Sequence, residues 1–535
     1  MTEIGRFNAA NATIVPLDEL GARLSARVSE HWRIAHLTAR RIDRDQFALV
    51  AVLLAASPPR VEVWEAQLDR GAECYPSMTH DIPSVHWYER FIADLFGLLP
   101  VGHPRFKSVI FHDSWPEGFF PLRTLADKAP AAGDKPANFG FVPVRGEGVF
   151  EIAVGPIHAG IIEPGHFRFS CLGEVIQNLD IRLGYVHRGI EKRLEGAPPA
   201  RVRLLAEAAS TDTTVGNALA HALAVESLCD ATPPYEAVNL RTVALEIERI
   251  ACHVGDMGGV CSDIGFQAGA ATFGRLRGRV LGMAERLTGS RFMNAYIVPG
   301  GVARPLSVAM RAELMQETNA VSAAFASAEP VLLDNFGALE RMEGIGRLRP
   351  SVARDLGVLG PAGRASGVRY DVREWLCQKP YAECGWSAAY ADESDAFARV
   401  RIRAIEVAES LKLIRRILET PQTGSAPLVF NSETHPGSKT RHPSLKQGGE
   451  IAESRARILG GWAANRVGVG IVEAWRGELV HLIFTDSNGE ICRYAIKDPS
   501  TNNWSGLAHA VRGELVTDFP LCNKSFGLSY SGNDL

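Results

Sequence analysis

The sequence predicts an α+β protein, in which a small N-terminal α/β domain is followed by a large, mainly helical bundle domain with peripheral β-hairpins. Three observations lead there. Residues 47–56, FALVAVLLAA, form an apolar run of strand length near the start. Apolar residues then recur three and four apart over most of 201–418, as helices with one buried face require. The C-terminal stretch returns to strand-like segments separated by turn residues.

Bulk composition narrows the function classes. At 535 residues the chain exceeds what one compact core organises, so two or three units are expected. Hydrophobic residues make up 46% and charged residues 22%, and the formal net charge of −4 offers no basic excess for nucleic acid. The run 47–56 is the longest apolar one and falls short of the roughly 18–20 residues of a membrane span. MTEIGRFNAA lacks the apolar stretch of a secretory signal. Membrane association is therefore expected only through partner subunits. The nine cysteines are scattered, with no C-x-x-C pair, and read as reduced, buried thiols of a cytoplasmic protein.

In chain order, 1–123 reads as the small α/β unit. A helix is expected over 17–32, a strand over 47–56, and a second strand in VEVWEAQL, which alternates at Val61, Val63 and Trp64. In SMTHDIPSVHWYERFIADLFG, Trp87, Phe91 and Leu95 share one helical face, while Glu89, Arg90 and Asp94 lie elsewhere around it. Residues 124–147 have the Ala/Pro/Gly-rich composition of a linker. From 157 to 169 the glycines and Pro164 suggest two short strands joined by a turn, and a helical pattern begins near Leu183, with Tyr185, Val186 and Ile190.

Helices are expected over 201–228 and 235–259, split by the Pro233–Pro234 pair, and again over 272–288 and 306–345. The most regular stripe is Phe397, Val400, Ala404, Val407, Leu411, Ile414 and Leu418, bundle core. Residues 421–455 lose periodicity and read as an exposed loop. VGVGIVEAWRG, LVHLIFTD and EICRYAIKD read as strands, the last two joined at SNG. The G-x-G within GVGIVEAW reads as a bend, so NAD binding by this chain has no support. No G-x-S-x-G elbow, Walker A run or HExxH is present.

Two long motifs in the right order carry a resemblance. GPIHAGIIEPGHFRF at 155–169, followed by RLGYVHRGIEK at 182–192, closely resembles the large subunit of membrane-bound nickel–iron hydrogenases of the hydrogenase-4 and formate hydrogenlyase type. It is similar, more distantly, to the 49-kDa (D) subunit of respiratory complex I. Upstream, Glu89, Arg90, Asp94, Phe96 and Gly97 match the E-R-x-x-x-D-x-F-G run of the complex I 30-kDa (C) subunit, which implies that Glu89, Arg90 and Asp94 dock neighbouring subunits. The resemblance implies two fused units, a 30-kDa-like domain over 1–123 and a 49-kDa-like domain over 148–535.

The hydrogenase family binds nickel and iron through four cysteines in two C-x-x-C pairs. Aligned on Ala224-Val225-Glu226, the first pair falls on Ser210 and Thr213; aligned on Asp518, Pro520 and Leu521, the second falls on Ser529 and Gly532. Such metals need thiolates, which are soft and anionic; hydroxyls are hard and stay protonated, and glycine offers no donor. No metal and no other cofactor is therefore expected on this chain, and hydrogenase activity is not expected either.

Complex I also lacks those cysteines and uses the cavity for a quinone headgroup, so the resemblance admits quinone as a ligand. Its tyrosine position falls on Thr211 and its aspartate on Asp263, while His158, Glu163 or His166 takes the hairpin histidine's place. The resemblance thus suggests a pocket of His158, Glu163, His166, Ser210, Thr211, Asp212, Thr213, Asp263, Arg364, Asp371, Arg373, Ser529 and Tyr530, with Asp263 partnering a hairpin histidine. It implies a non-metal large subunit of a membrane-associated, energy-converting oxidoreductase complex. Expected partners are an iron–sulfur small subunit like the complex I B subunit, which would hold the cluster, and membrane-embedded antiporter-like and quinone-module-like subunits at the cytoplasmic face. Two alternatives stand beside it: a quinone-binding NADH-quinone oxidoreductase subunit of C/D type, and a structural scaffold with no active site.

Overall fold

The computed structural model describes residues 12–112, 115–123, 140–158, 162–420, 458 and 461–535. Most of the expected linker 124–147 and the expected loop 421–455 lie outside them.

In the N-terminal unit, a four-stranded sheet runs in the order Thr13–Ile14, Pro59–Gln67, Phe47–Ala56, Arg33–Arg41. The central strand Phe47–Ala56 has no polar alternation because both its faces are covered. Leu49, Ala51 and Leu53 pack with Leu20 and Leu24 of helix Leu17–Ser29. On the other face, Val50, Val52 and Leu54 pack with Val467, Val469, Val480 and Leu482 of a C-terminal three-stranded sheet. The two units are thus joined face to face through apolar sheet surfaces, as in a sandwich. Arg33 with Glu478 (3.2 Å) and Arg493 with the Ala39 carbonyl (3.0 Å) pin the same junction.

Helix His86–Phe96 forms where its spacing predicts, but its charges do not face outward. Glu89 accepts hydrogen bonds from Ser77 Oγ, Met78 N and Thr79 Oγ1. Asp94 accepts from Ser108 Oγ, Val109 N and Ile110 N, and Arg90 donates to the Lys107 and Ser108 carbonyls. All three are buried. The expectation that they dock neighbouring subunits is corrected: their bonding capacity is filled inside the chain, where Glu89 holds residues 77–79 and Arg90 and Asp94 hold the segment 105–112. That segment reaches the second unit through Arg105 to Asp180 (2.6 Å) and His112 to the Leu183 carbonyl (2.9 Å).

The second unit opens with a three-stranded antiparallel sheet, Val149–Val154, His166–Leu172 and Val175–Arg182. The expected strand pair within 157–169 is corrected accordingly. Residues 155–165 connect the first two strands, and His166–Leu172 pairs with strands on either side. The helix expected from Leu183 is delayed to Ile190–Leu194. Gly184 sits at φ +90° against the Ile110 carbonyl, a backbone position that no helix residue adopts and that leaves no room for a side chain.

Four long helices, Tyr235–Asp263, Gln267–Thr288, Val308–Leu333 and Ala396–Glu419, form the bundle. Helix Thr214–Leu228 lies beneath them on strand Val467–Ala474 and is buried at every position except Leu223. The G-x-G within this strand is no bend. A side chain at Gly468 or Gly470 would run into the Ala224 or Ala220 carbonyl, so the glycines let the helix rest directly on the strand. Among the described residues no helix is long and apolar enough to cross a membrane.

Candidate functional site

The turn after helix Pro199–Glu207 and the C-terminal segment following helix Phe519–Phe526 meet at one place. There Ser210 Oγ and Ser529 Oγ lie 3.0 Å apart, and Gly532 N donates to Ser529 Oγ at 2.9 Å. Thr213 joins them through the Asp212 carboxylate, to which both Ser210 and Thr213 donate at 3.2 Å. Ser210, Thr213 and Ser529 are buried. Residues far apart in sequence are therefore brought to one point.

Three residues of that point were not singled out from the sequence as site residues: Arg476, Asp498 and Ser500. Arg476 forms a bidentate ion pair with Asp212, each bond 2.6 Å, and also reaches Thr213 Oγ1 at 3.2 Å and the Gly527 carbonyl. Its guanidinium stacks on Trp475, 3.8 Å from the ring centre, and the Trp475 indole donates to Thr213 Oγ1. Partial desolvation by the surrounding wall works to raise the Asp212 carboxyl; the Arg476 cation overrides it and holds the group below the usual carboxylate range. Ser500 Oγ accepts from Ser529 N, and the Asp498 carboxylate accepts from Ser500 N. A side chain at Gly532 would collide with that carboxylate and come within 2.9 Å of Ser529 Oγ. The signal for Arg476 lay in VGVGIVEAWRG, which reads as a strand by sequence and ends at the site wall in the structure.

This donor set does not fit nickel and iron. The side chains are hydroxyls already engaged with Asp212, Arg476, Trp475 and one another, position 532 has none, and Arg476 adds a fixed positive charge where a cation would sit.

A second polar region lies behind the same wall. Arg364, Asp371 and Arg373, expected to line the pocket, are buried in a cluster of charges instead. Glu406 bridges Arg364 and Arg373, each at 2.7 Å, and accepts from His253 Nε2 at 2.7 Å. Arg364 also meets Asp371 at 2.8 Å and Glu473 at 2.7 Å. Burial works against the charge on Glu406, but the two guanidinium groups hold it well below its usual range. Burial pushes His253 down to about 4, so its imidazole is neutral. Glu473 goes the other way: burial and the neighbouring Asp371 push it up to about 7. Glu246 extends the cluster, receiving Arg249 Nε at 3.1 Å and the Tyr381 hydroxyl at 2.7 Å.

The remaining expected residues are distributed around these regions. Glu163 accepts from Ser531 N at 2.9 Å, which ties the 155–165 connection to the C-terminal segment. Tyr530 packs beneath Gly165, edge-on to Trp504 and Phe167. His158 bonds the Gly165 carbonyl at 2.8 Å and His166 the Gly155 carbonyl at 3.1 Å. Thr211 is exposed. The expected pairing of Asp263 with a hairpin histidine is corrected. Asp263 is the exposed last residue of its helix, the charge acting on it is that of Lys524, and both histidines bond local backbone instead.

Comparison with known proteins shows the family of the chain. The family model described as the 49-kDa subunit of respiratory-chain NADH dehydrogenase matches residues 263–534, and that of its 30-kDa subunit matches 22–130. Hydrogenase-4 component G of Escherichia coli (strain K12) is 30% identical over 480 residues, covering 88% of this chain and 78% of that protein. Formate hydrogenlyase subunit 5 of the same strain is 29% identical over 476 residues, with the same coverage of each. NADH-quinone oxidoreductase subunit 4 of Thermus thermophilus is 28% identical over 371 residues, 69% of this chain and 90% of that one. With the 49-kDa model spanning just over half its length, the chain belongs to the family of the 49-kDa subunit of respiratory-chain NADH dehydrogenase.

Proposed function

We propose that the chain is the non-metal large subunit of a membrane-associated, energy-converting oxidoreductase complex and takes part in electron transfer coupled to ion translocation. Its relatives bear the names of subunits and components of formate hydrogenlyase, hydrogenase-4 and NADH-quinone oxidoreductase. In this reading an iron–sulfur partner supplies electrons beside the Asp212–Arg476 pair, and membrane-embedded antiporter-like and quinone-module-like subunits carry the ion. The subunit stands on the cytoplasmic side, held through those partners.

One observation supports this most strongly: residues 473–476 wall both polar regions. The Arg476 side chain binds Asp212, the Glu473 side chain binds Arg364, and the Glu473 and Ala474 carbonyls receive Arg249 at 2.6 and 3.1 Å. A change of charge at the Asp212 side therefore acts on the strand that carries Glu473. A carboxyl poised near 7 answers such a change by taking up or releasing a proton. The subunit thus acts as an electrostatic relay with no redox centre of its own.

The test is Glu473→Gln in membranes containing the partner subunits. The amide keeps an acceptor for Arg364 and removes the titrating proton. The complex should assemble and pass electrons while moving at least tenfold fewer ions per electron. Unchanged ion stoichiometry would overturn the relay. The scaffold reading draws on the mutually bonded Ser210 and Ser529 hydroxyls, and it predicts that unchanged result.

A further inference from the structure

A cavity of about 40 Å³ lies where the N-terminal unit meets the second one. Strand Arg33–Arg41 and helix His86–Phe96 line it from the first unit. Strand Ile491–Lys497, helix Ser500–Ala510 and residues 532–535 line it from the second. Apart from Phe91 and Leu95, every residue lining it is buried. A water molecule needs roughly 10–15 Å³ of such space, so there is room for about three.

His36 reaches the cavity through an irregularity in its strand. Between Ile34 and His36 the strand gains one residue over its partner Phe47–Ala56, so Ala35 and His36 both turn toward the second unit. His36 is only 7% exposed, and neither of its ring nitrogens meets a hydrogen-bond partner among the described residues. Burial, with the Lys497 and Arg493 cations, holds the imidazole well below its usual range, so the ring is neutral. A neutral imidazole carries one donor and one acceptor. From the C-terminal segment, buried Asn533 adds an acceptor: its amide nitrogen donates to Asp534 at 3.1 Å, while its Oδ1 has no partner among the described residues. The Lys497 ammonium gives two hydrogens to Glu478, at its carbonyl and its carboxylate, and keeps a third.

This set does not call for an ion. Lys497 is paired with Glu478, and Arg493 with Glu191 at 2.8 Å, so the charges around the cavity are already balanced. What the cavity asks for is a donor and an acceptor at once. Asn533 Oδ1 and one His36 nitrogen accept, while the other His36 nitrogen and Lys497 donate. Water supplies both at this size, and leaving such groups unmet is unfavourable.

We propose that the cavity is a binding site for a cluster of about three water molecules, which bridges His36 to Asn533 and so ties the N-terminal unit to the C-terminal segment. Gly532 lines the same cavity and its amide donates to Ser529 Oγ, so the bridge backs directly onto the serine cluster. The bridge does not rest on the relay function, because neither Glu473 nor Arg364 lines the cavity.

A crystal structure of the full chain, at a resolution that shows ordered water, tests this. Waters are expected within hydrogen-bond distance of both His36 ring nitrogens and of Asn533 Oδ1. A cavity without ordered water, or waters that reach only one of the two residues, would overturn the bridge. Xenon enters dry apolar cavities, so none should bind here under pressure, and xenon at this point would overturn the proposal as well. His36→Leu removes both ring nitrogens and should lose at least one of the waters, and Asn533→Leu should do the same at the other end. An unchanged cluster in either variant would show that these side chains do not hold it.

Discussion

The two polar regions on either side of 473–476 are built on opposite principles. Around Glu406, full charges are buried and neutralise each other: two guanidinium groups and a neutral imidazole converge on one carboxylate. Around Ser210 and Ser529 the bonded groups are mostly neutral hydroxyls; the buried Asp498 carboxylate accepts from Ser500 N, and buried Arg476 is compensated by Asp212, whose side chain is 45% exposed. The first region cannot lose a member without stranding a charge in a dry interior. The second can, because hydroxyls are inexpensive to leave alone and water reaches Asp212. Tolerance to substitution should therefore differ sharply over a few ångströms of wall.

Glu406→Gln tests that contrast most severely. Removing the bridging anion leaves Arg364 and Arg373 short of compensation and should destabilise the fold by about 3–5 kcal/mol, read from the denaturant midpoint. A loss below about 1 kcal/mol would erase the distinction between the regions.

Glu248 sharpens it through pH. It is buried, accepts from Val215 N and Gly216 N, and is pushed up to about 8 from 4.5, chiefly by burial. Between those values the folded chain holds a proton that the unfolded chain has released, so stability falls as pH rises across the window. Glu248→Gln should flatten that slope by up to about 1.4 kcal/mol per pH unit. An unchanged midpoint-against-pH curve from pH 5 to 8 would show that Glu248 is ionised when folded.

Smaller effects belong to the hydroxyl region. Arg476→Met should cost about 1–2 kcal/mol, discounted because solvent compensates Asp212. Ser210→Ala should cost about 1 kcal/mol or less, since Ser529 Oγ keeps the Gly532 amide as its donor. Least change of all is expected from nickel: incubation and desalting should leave the purified chain without stoichiometric metal by elemental analysis.

The sequence made some of this visible for clear physical reasons. The stripe from Phe397 to Leu418 is a buried helix face, and periodicity alone finds it. Ser210, Thr213, Ser529 and Gly532 could be gathered only through the family resemblance, because no local pattern links a turn to a distant C-terminal segment. Arg476 and Glu406 were missed as site residues because their partners come from remote elements. Glu89, Arg90 and Asp94 misled in the opposite direction: charges on an amphipathic helix suggest a surface, but loop backbone folded over them and took their bonds. The helix expected at Leu183 failed for a similar reason, since the Ile110 carbonyl presses on Gly184 from another domain.

Gly532 sets a steric limit on building four thiols at this point. A cysteine there would need the space now filled by the Asp498 carboxylate, which Ser500 N holds at 2.8 Å, and would press on Ser529 Oγ. Introducing thiols at 210, 213 and 529 one by one would still leave the fourth blocked until Asp498 moved. The filled space therefore works as a lock: thiols introduced singly gain no fourth partner until the Asp498 carboxylate gives way.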